Sequence, residues 1–518
     1  MYPLRTTCLI LFVVSVTLIG GCSGEKSPVT PESPSRAISS FVDSQTLFYD
    51  QSFDYDEIDL GALVKVDQFY PGTPMAIDGL HWCIAITVEH DANEDKILYA
   101  WLNEDDEGFI EDGTPAASGI FFSGNTESPF EDDYEIRAAR VATAYLYNDQ
   151  TPSASLIEVR IVFMYRNRTN PTPRETWGIG IVQGLYDLND FPAQPTYMDT
   201  HFRIVEPEGG LGNWSPDVAY NYTNGDIHVV WTEWVDDLDP DNARLAYTRY
   251  IKQQDDWIST YVITEENNPV QQWIPRIAVG NVGFESPHDQ LVAVAYTRKQ
   301  SNPVPGPWHV GCAYWSAFAN DFPNNQPPDT AVLFALPYDI DYAAGLPQIA
   351  VTQGACQEKY GSIVFTQYTG TEYHAVEINS IRGGNEYLDH FWEIEGYGST
   401  YCILPSVTCH YETGGNGLAS ISFFESTDAG EWQVTYGRFD PEASPPDPEW
   451  QAMEGAGETI NGDFGPLDYG DYLRIHTFQG SEIVATNIGA WDQAYWIGWC
   501  DYINSSATTV YAALGDTQ

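Results

Sequence analysis

Positive charge is scarce in this sequence of 518 residues. Lysine and arginine together number 22, and only six of these are lysines, whereas aspartate and glutamate number 74, so the formal net charge is −52. Proteins that bind nucleic acids hold the phosphate backbone through clustered lysine and arginine side chains. The composition therefore excludes a nucleic-acid partner.

The sequence also lacks the common catalytic and metal-binding signatures. It contains no G-x-S-x-G turn, no H-E-x-x-H helix, no P-loop and no C-x-x-C pair, and helical periodicity of apolar residues is nearly absent. What is present is an apolar content of 43% and an aromatic content of 14%, which is too high for a disordered acidic chain. The sequence therefore predicts a folded protein without helices whose catalytic residues no motif identifies.

The N-terminus has the features of an export signal. Arg5 precedes an apolar run from Cys8 to Ile19 that is too short to span a bilayer. The segment Ile19-Gly20-Gly21-Cys22 resembles the lipobox of bacterial lipoproteins, which implies that Cys22 is lipidated and anchors the protein to a membrane. An ordinary signal peptide with a chance cysteine is the alternative. Because Ser23 follows instead of an aspartate, the resemblance implies the outer membrane or the cell surface. We expect a signal peptide at 1–21 and a flexible, lipidated tether at 22–37.

An internal repeat organises the remainder of the chain. Four segments share an apolar pattern around a proline: Ser215–Tyr220, Ile274–Val279, Leu346–Val351 and Leu404–Cys409. Each is followed by a turn and a β-prone run, and two further runs usually come next, so one unit contains about four short strands. Weaker copies give seven starts in all, near positions 74, 139, 216, 275, 347, 405 and 471.

Four-stranded units in such a series predict an all-β fold, a β-propeller of about seven blades, with six or eight as alternatives. A single blade cannot cover its own apolar faces, and a ring lets each blade bury them against its neighbours. We assign the propeller to residues 74–518 and treat residues 38–73 as an N-terminal segment that is a candidate for ring closure. Two tandem β-sandwiches are disfavoured because no Pro-rich or Ser-rich break interrupts the repeat.

The repeat also indicates where a ligand would bind. In each blade, the loop entering the first strand and the hairpin between the second and third strands lie on the same face. Trp214 and Trp273 stand two residues before shared prolines, so they are candidates for stacking on sugar rings, with packing between blades as the alternative. Four polar residues at the start of the inner strands are further candidate ligand contacts, with solvated residues of the channel lining as the alternative: Asp217, Arg276, Gln348 and Arg140.

Two predicted hairpins on the same face are acidic. Oxygen-bearing side chains alternate along them, at Asp91, Asn93 and Asp95 in one and at Asp237, Asp239 and Asp241 in the other. This spacing lets a loop wrap a calcium ion and half-resembles an EF-hand loop, but both loops lack its glycine and its final glutamate. Ca²⁺ is therefore one prediction for these hairpins, and solvated turns are the alternative.

A third hairpin, Ser426-Thr427-Asp428-Ala429-Gly430-Glu431-Trp432, is similar to the Asp-box turn of sialidase-type propellers, S-x-D-x-G-x-x-W, and is one residue shorter. In that family the turn is structural, so the resemblance implies a hairpin and a loosely sialidase-like propeller. The arginines, tyrosine and acid that a sialidase needs are not placed by the sequence.

Three functions from different classes remain. The first is a lipid-anchored propeller that binds an extracellular glycan or protein ligand or serves as a surface scaffold. The second is a glycoside hydrolase or lyase of propeller type that acts on an extracellular polysaccharide. The third is an envelope assembly component. An accessible pocket with paired carboxylates would favour the enzyme.

Overall fold

A computed structural model describes the fold, and strands make up most of it. The described residues are 45–50, 52–56, 58–62, 82–103, 117–124, 134–146, 156–168, 177–187, 197–199, 203–206, 212–221, 224–234, 243–263, 270–281, 290–300, 308–316, 329–333, 343–351, 361–368, 373–382, 386–394, 401–411, 417–428, 431–439, 449–452, 487–491, 494–503 and 506–516. Within these ranges there is no helix that is long and apolar enough to cross a membrane.

The strands in the first half of the described chain are β1 (Gln45–Tyr49), β2 (Asp54–Tyr55), β3 (Asp59–Ala62), β4 (Trp82–His90), β5 (Asp95–Asn103), β6 (Ala117–Ser123), β7 (Tyr134–Leu146), β8 (Leu156–Asn167), β9 (Gly178–Asp187), β10 (Tyr197–Asp199), β11 (Arg203–Val205), β12 (Gly212–Tyr220), β13 (Ile227–Trp234), β14 (Ala243–Ile251), β15 (Asp256–Trp257) and β16 (Tyr261–Ile263). Those in the second half are β17 (Val270–Asn281), β18 (Gln290–Gln300), β19 (Trp308–Ser316), β20 (Asp329–Leu333), β21 (Ala343–Val351), β22 (Gly361–Tyr368), β23 (Tyr373–Arg382), β24 (Glu386–Ile394), β25 (Tyr401–Tyr411), β26 (Gly417–Asp428), β27 (Glu431–Phe439), β28 (Glu449–Ala452), β29 (Asn487–Trp491), β30 (Ala494–Ile503) and β31 (Ser506–Asp516).

These strands form seven antiparallel sets, which we number as blades. Blade 1 is β3-β4-β5-β6, blade 2 is β7-β8-β9-β10, blade 3 is β12-β13-β14-β15, blade 4 is β17 to β20, blade 5 is β21 to β24, blade 6 is β25 to β28 and blade 7 is β29-β30-β31-β1. In blades 2 and 3 the outermost position is shared, because β11 also pairs with β9 and β16 also pairs with β14.

The innermost strands form a closed circle. Each of β3, β7, β12, β17, β21, β25 and β29 contacts the next in that order, and β29 contacts β3. A circle of seven four-stranded sheets is a β-propeller, so the predicted fold class and blade number are confirmed.

The ring is closed by the N-terminal strands. β1 pairs with β31 and becomes the outermost strand of blade 7, while Tyr55 of β2 pairs with Ala507 of β31 and Glu89 of β4. The innermost strand of blade 1 is β3, which precedes the predicted start at Pro74; Pro74 itself lies outside the described residues. The propeller therefore begins within the segment 38–73, because strands from both ends of the chain pair where the ring closes.

The shared proline marks a β-bulge. The pairing register of the innermost strand shifts at this point in blades 2 to 6. The residue before the bulge position has a positive φ at Ala138, Ser215, Ile274 and Leu404. A bulge leaves a backbone position unpaired, and a proline, which has no N–H to pair, is tolerated there. The proline motif of the repeat therefore marks the position of this bulge in the sequence.

Hydrogen bonds from the bulge join neighbouring blades. The N–H of Ile274 donates to Thr232 Oγ1 at 3.1 Å, and that of Leu404 donates to Thr366 Oγ1 at 2.8 Å. Both threonines belong to the second strand of the preceding blade and are buried. A buried N–H needs a partner, so each threonine stabilises one junction between blades.

Aromatic side chains fill the spaces between blades. Trp101 of blade 1 meets Tyr186 of blade 2 edge to face, with 5.2 Å between ring centroids. Tyr247 of blade 3 meets Trp315 of blade 4 in the same manner at 5.0 Å. These two aromatic pairs therefore stabilise the packing of one blade on the next.

Candidate axial site

The bulges of blades 2 to 6 place one side chain of the innermost strand at an equivalent position in each of these blades. These residues follow the register shift directly in blades 2 to 6, and Asp59 takes the corresponding place in blade 1 because its carboxylate contacts the next blade as that of Asp217 does. We call the set the axial ring: Asp59, Arg140, Asp217, Arg276, Gln348 and Ser406.

Charges alternate through the first four members of the axial ring. Asp59 Oδ2 accepts a hydrogen bond from the N–H of Val141 at 2.7 Å, and Asp217 Oδ2 accepts one from the N–H of Ile277 at 2.7 Å. Each donor directly follows an arginine of the ring, and Arg140 Nη1 lies 3.9 Å from Asp59 Oδ1. The backbone geometry thus brings each carboxylate to the arginine of the next blade.

Asp217 has an unusual proton affinity. Burial raises the pKa of Asp217 to about 6, although the guanidinium groups of Arg276 and Arg140 and the hydrogen bond from Ile277 lower it, and the negative charge of Asp59 raises it further. A carboxyl group with a pKa close to neutral can both donate and accept a proton at working pH.

The two arginines of the axial ring are buried. The side chain of Arg140 is 2% exposed and Arg276 is 6% exposed, and Arg276 Nη1 donates to the carbonyl oxygen of Pro275 at 3.1 Å. A guanidinium presents a planar fork of donors that matches a carboxylate or a sulfate. The ring therefore combines two anion-binding groups with one protonatable carboxyl group.

Sequence reasoning named four members of this ring: Arg140, Asp217, Arg276 and Gln348. The structure brings them together at equivalent positions. Asp59 and Ser406 were missed. The similarity between Ile58-Asp59-Leu60 and Pro216-Asp217-Val218 was the available signal for Asp59, but it lacks the proline on which the repeat was recognised.

The structure places both candidate stacking tryptophans in the core. Trp214 is 4% exposed and Trp273 is 3% exposed, and the Trp214 ring lies 6.2 Å from that of Trp177. The bulge turns these indoles between blades, in the packing role that was the alternative for them. Burial leaves neither ring a face on which a sugar could stack.

Two carboxylates of the candidate calcium loop of blade 1 accept hydrogen bonds within the protein. Asp91 Oδ1 accepts from the N–H of Asn93 at 3.1 Å, which is a local turn. Asp95 is buried, accepts from the N–H of Ile136 at 2.9 Å and pairs with Arg168. Asp91 and Asp95 thus make contacts within the protein, and calcium binding at Asp91, Asn93 and Asp95 stays a prediction.

Other candidates lie outside the described residues, namely Asp237, Asp239, Asp241 and Cys22. In the part of the chain that is described, no group of three His, Cys, Asp or Glu side chains is arranged to hold a metal ion. Calcium binding at Asp237, Asp239 and Asp241 and lipidation at Cys22 stay predictions.

Comparison with known proteins finds similar chains among solved structures. The polysaccharide lyase Uly1 is 8% identical with a TM-score of 0.43, and the match covers 93% of this chain and 100% of that one. The NanB sialidase from Streptococcus pneumoniae is 9% identical with a TM-score of 0.41, covering 92% and 99%. The GH93 α-L-arabinofuranosidase of Fusarium graminearum is 11% identical with a TM-score of 0.37, covering 73% and 92%. No family model and no curated protein matches the sequence.

Proposed function

We propose that this propeller is a glycoside hydrolase or lyase that acts on an acidic polysaccharide at the axial ring. The observation that carries the proposal is the alternation of Asp59, Arg140, Asp217 and Arg276 around the axis, in a protein with only 22 basic side chains in all. Two of those few cations stand at equivalent positions of alternate blades.

The side chains of the axial ring have complementary tasks in this proposal. Arg140 and Arg276 hold a carboxylate or sulfate of the sugar, and Gln348 and Ser406 supply hydrogen bonds to hydroxyl groups. Asp217 transfers the proton, because its pKa of about 6 keeps both protonation states populated near neutral pH. Substrate charge and proton transfer are thus handled by neighbouring groups.

The net charge sets the conditions for binding. A protein of charge −52 repels a polyanion at long range. Salt shortens the range of this repulsion, since the Debye length falls to about 3 Å at 1 M. We therefore expect the enzyme to work best at high ionic strength, where the local arginine contacts outweigh the field of the whole protein.

The test compares the protein starting after Cys22 with its Asp217→Asn variant on polygalacturonate, dextran sulfate and neutral dextran. New reducing ends report hydrolysis, and ultraviolet absorbance of an unsaturated uronate reports elimination. We expect kcat of the variant to fall about 100-fold or more with KM nearly unchanged, as for loss of a proton-transfer group. The matched control is Asp256→Asn, which alters an exposed carboxylate on blade 3. Absence of product from every polymer would refute the enzymatic proposal.

A second candidate is a glycan-binding or scaffold protein without catalysis. Arg140 and Arg276 favour it, because two guanidinium groups suffice to bind a carboxylate or a sulfate without any proton transfer. Calorimetric binding of polygalacturonate without product formation would select this candidate.

The lipobox-like segment supports a proposal for the cellular location of the protein. A lipid on Cys22, followed by the tether 22–37, would hold the propeller at the outer membrane or cell surface, where extracellular polysaccharides are encountered.

A further inference from the structure

The ring-closing part of the chain lies directly against the axial ring. We call β2 together with Asp56, Ile58 and Asp59 the closure segment. The backbone of Asp56 is tied to blade 1, because its N–H donates to Val88 O at 2.9 Å and its carbonyl oxygen accepts from Thr87 Oγ1 at 2.9 Å. The same carbonyl accepts from Cys500 Sγ of blade 7 at 3.3 Å. Asp56 therefore stands where the first and last blades meet.

The carboxylates of the closure segment hold β7 at its bulge and directly after it. Asp56 Oδ2 accepts from the N–H of Ala138 at 3.1 Å, and Asp59 Oδ2 accepts from the N–H of Val141 at 2.7 Å. Arg140, the first cation of the axial ring, lies between these two anchored amides. The corresponding bulge N–H is held by a threonine at Ile274 and Leu404 and by Met164 Sδ at Ser215. Among these described bulges, a carboxylate therefore holds this N–H at the junction between blades 1 and 2 alone.

His90 holds the Asp56 carboxylate in place. Its Nε2 lies 2.6 Å from Asp56 Oδ1, and its Nδ1 lies 3.3 Å from Oδ1 of Asp95. Burial lowers the pKa of His90, but Asp56 and Asp95 raise it to about 9 against the opposing charge of Arg137. Arg137 Nη1 lies 2.9 Å from His90 Nε2 and 3.5 Å from Asp56 Oδ1, so Asp56 is flanked by two basic side chains. Asp56 and Asp95 both accept hydrogen bonds from β7.

We infer that the closure segment is a positioning element of the axial site: Asp56, held by His90, fixes the bulge of β7 and thereby the guanidinium of Arg140. What the site binds rests on the proposed function. The residues 38–73, which the sequence indicated as a separate segment, thus contribute one ring member, Asp59, and the positioning residue of another.

The test measures hydrogen exchange of the β7 segment, 134–146, by mass spectrometry in the protein starting after Cys22. Asp56→Ala should accelerate exchange of the Ala138 amide roughly tenfold to a hundredfold, since it removes a hydrogen bond to a charged acceptor. Asp56→Asn should restore most of the protection because its amide oxygen can accept the same bond. His90→Gln should give an intermediate acceleration. Exchange of β17, which Thr232 holds, should stay unchanged.

Thr87→Val is the matched control. It also removes a hydrogen bond to Asp56, but at the carbonyl oxygen, so it should leave both exchange of β7 and affinity unaltered. We expect affinity for polygalacturonate to weaken roughly tenfold in Asp56→Ala and to recover in Asp56→Asn. Unchanged β7 exchange in Asp56→Ala, or equal acceleration in Thr87→Val, would overturn the inference. If the unaltered protein binds neither polygalacturonate nor dextran sulfate, the proposed function fails, while β7 exchange still decides whether Asp56 positions this strand.

Discussion

Replacing Asp217 by asparagine should change how the stability of the propeller depends on pH. In the folded protein the pKa of Asp217 is about 6, whereas its usual value is 3.8, because burial disfavours the charged form. Asparagine does not titrate, and its amide oxygen can still accept the hydrogen bond from Ile277. The substitution therefore removes the titration with little change in contacts.

The sign and size of the change in stability with pH follow from the number of protons that the folded and unfolded states bind. Between pH 3.8 and 6 the unfolded chain loses the proton first, so the folded state binds more protons and its stability falls as pH rises. A difference of about 2 pKa units corresponds to about 3 kcal/mol between acidic and neutral pH. The stability of Asp217→Asn relative to the unaltered protein should thus increase by up to about 3 kcal/mol from pH 3.5 to pH 7.

The assay is urea unfolding followed by tryptophan fluorescence at several pH values. Asp256→Asn serves as the control, because this carboxylate is exposed, and its curves should parallel those of the unaltered protein. If the stability difference for Asp217→Asn does not vary between pH 3.5 and 7, Asp217 is not desolvated as the structure indicates, and its assignment as the proton-transfer group falls with it.

Two further predictions concern other parts of the chain. Thr232→Val should destabilise the protein by about 1–3 kcal/mol, since it leaves the buried N–H of Ile274 without an acceptor, whereas Thr232→Ser should retain most of the stability; unfolding midpoints that coincide for the two variants would contradict this role. Cys22→Ala should abolish incorporation of a labelled fatty acid and release the propeller from the membrane fraction, and labelling that persists in this variant would rule out the lipobox.

Fold class was predictable because the same local pattern recurs. Proline recurs in the sequence at the bulge of β12, β17, β21 and β25. The strand after each proline was predictable from its β-prone residues. The first blade was misplaced because Ile58 occupies the position of the proline there. The innermost strand of blade 1 also lies in a segment that shows no other sign of the repeat.

The candidate site was only partly predictable. Arg140, Asp217, Arg276 and Gln348 could be found by aligning repeat units, since equivalent positions in a ring share a location. The orientation of the tryptophans just before the bulge could not be predicted from the sequence. A one-residue shift decides whether such a side chain faces a ligand or the neighbouring blade.

Composition and local patterns were enough to predict an acidic protein made of repeated four-stranded units, because these properties do not depend on how distant residues meet. Tertiary structure alone decided that Asp59 joins the axial ring and that Asp56 and His90 hold the strand of Arg140. It also places the carboxylate of Asp95 against the guanidinium of Arg168. Those contacts join residues of different blades, far apart along the chain. Packing of blade 1 against blade 2 brings them within hydrogen-bonding distance.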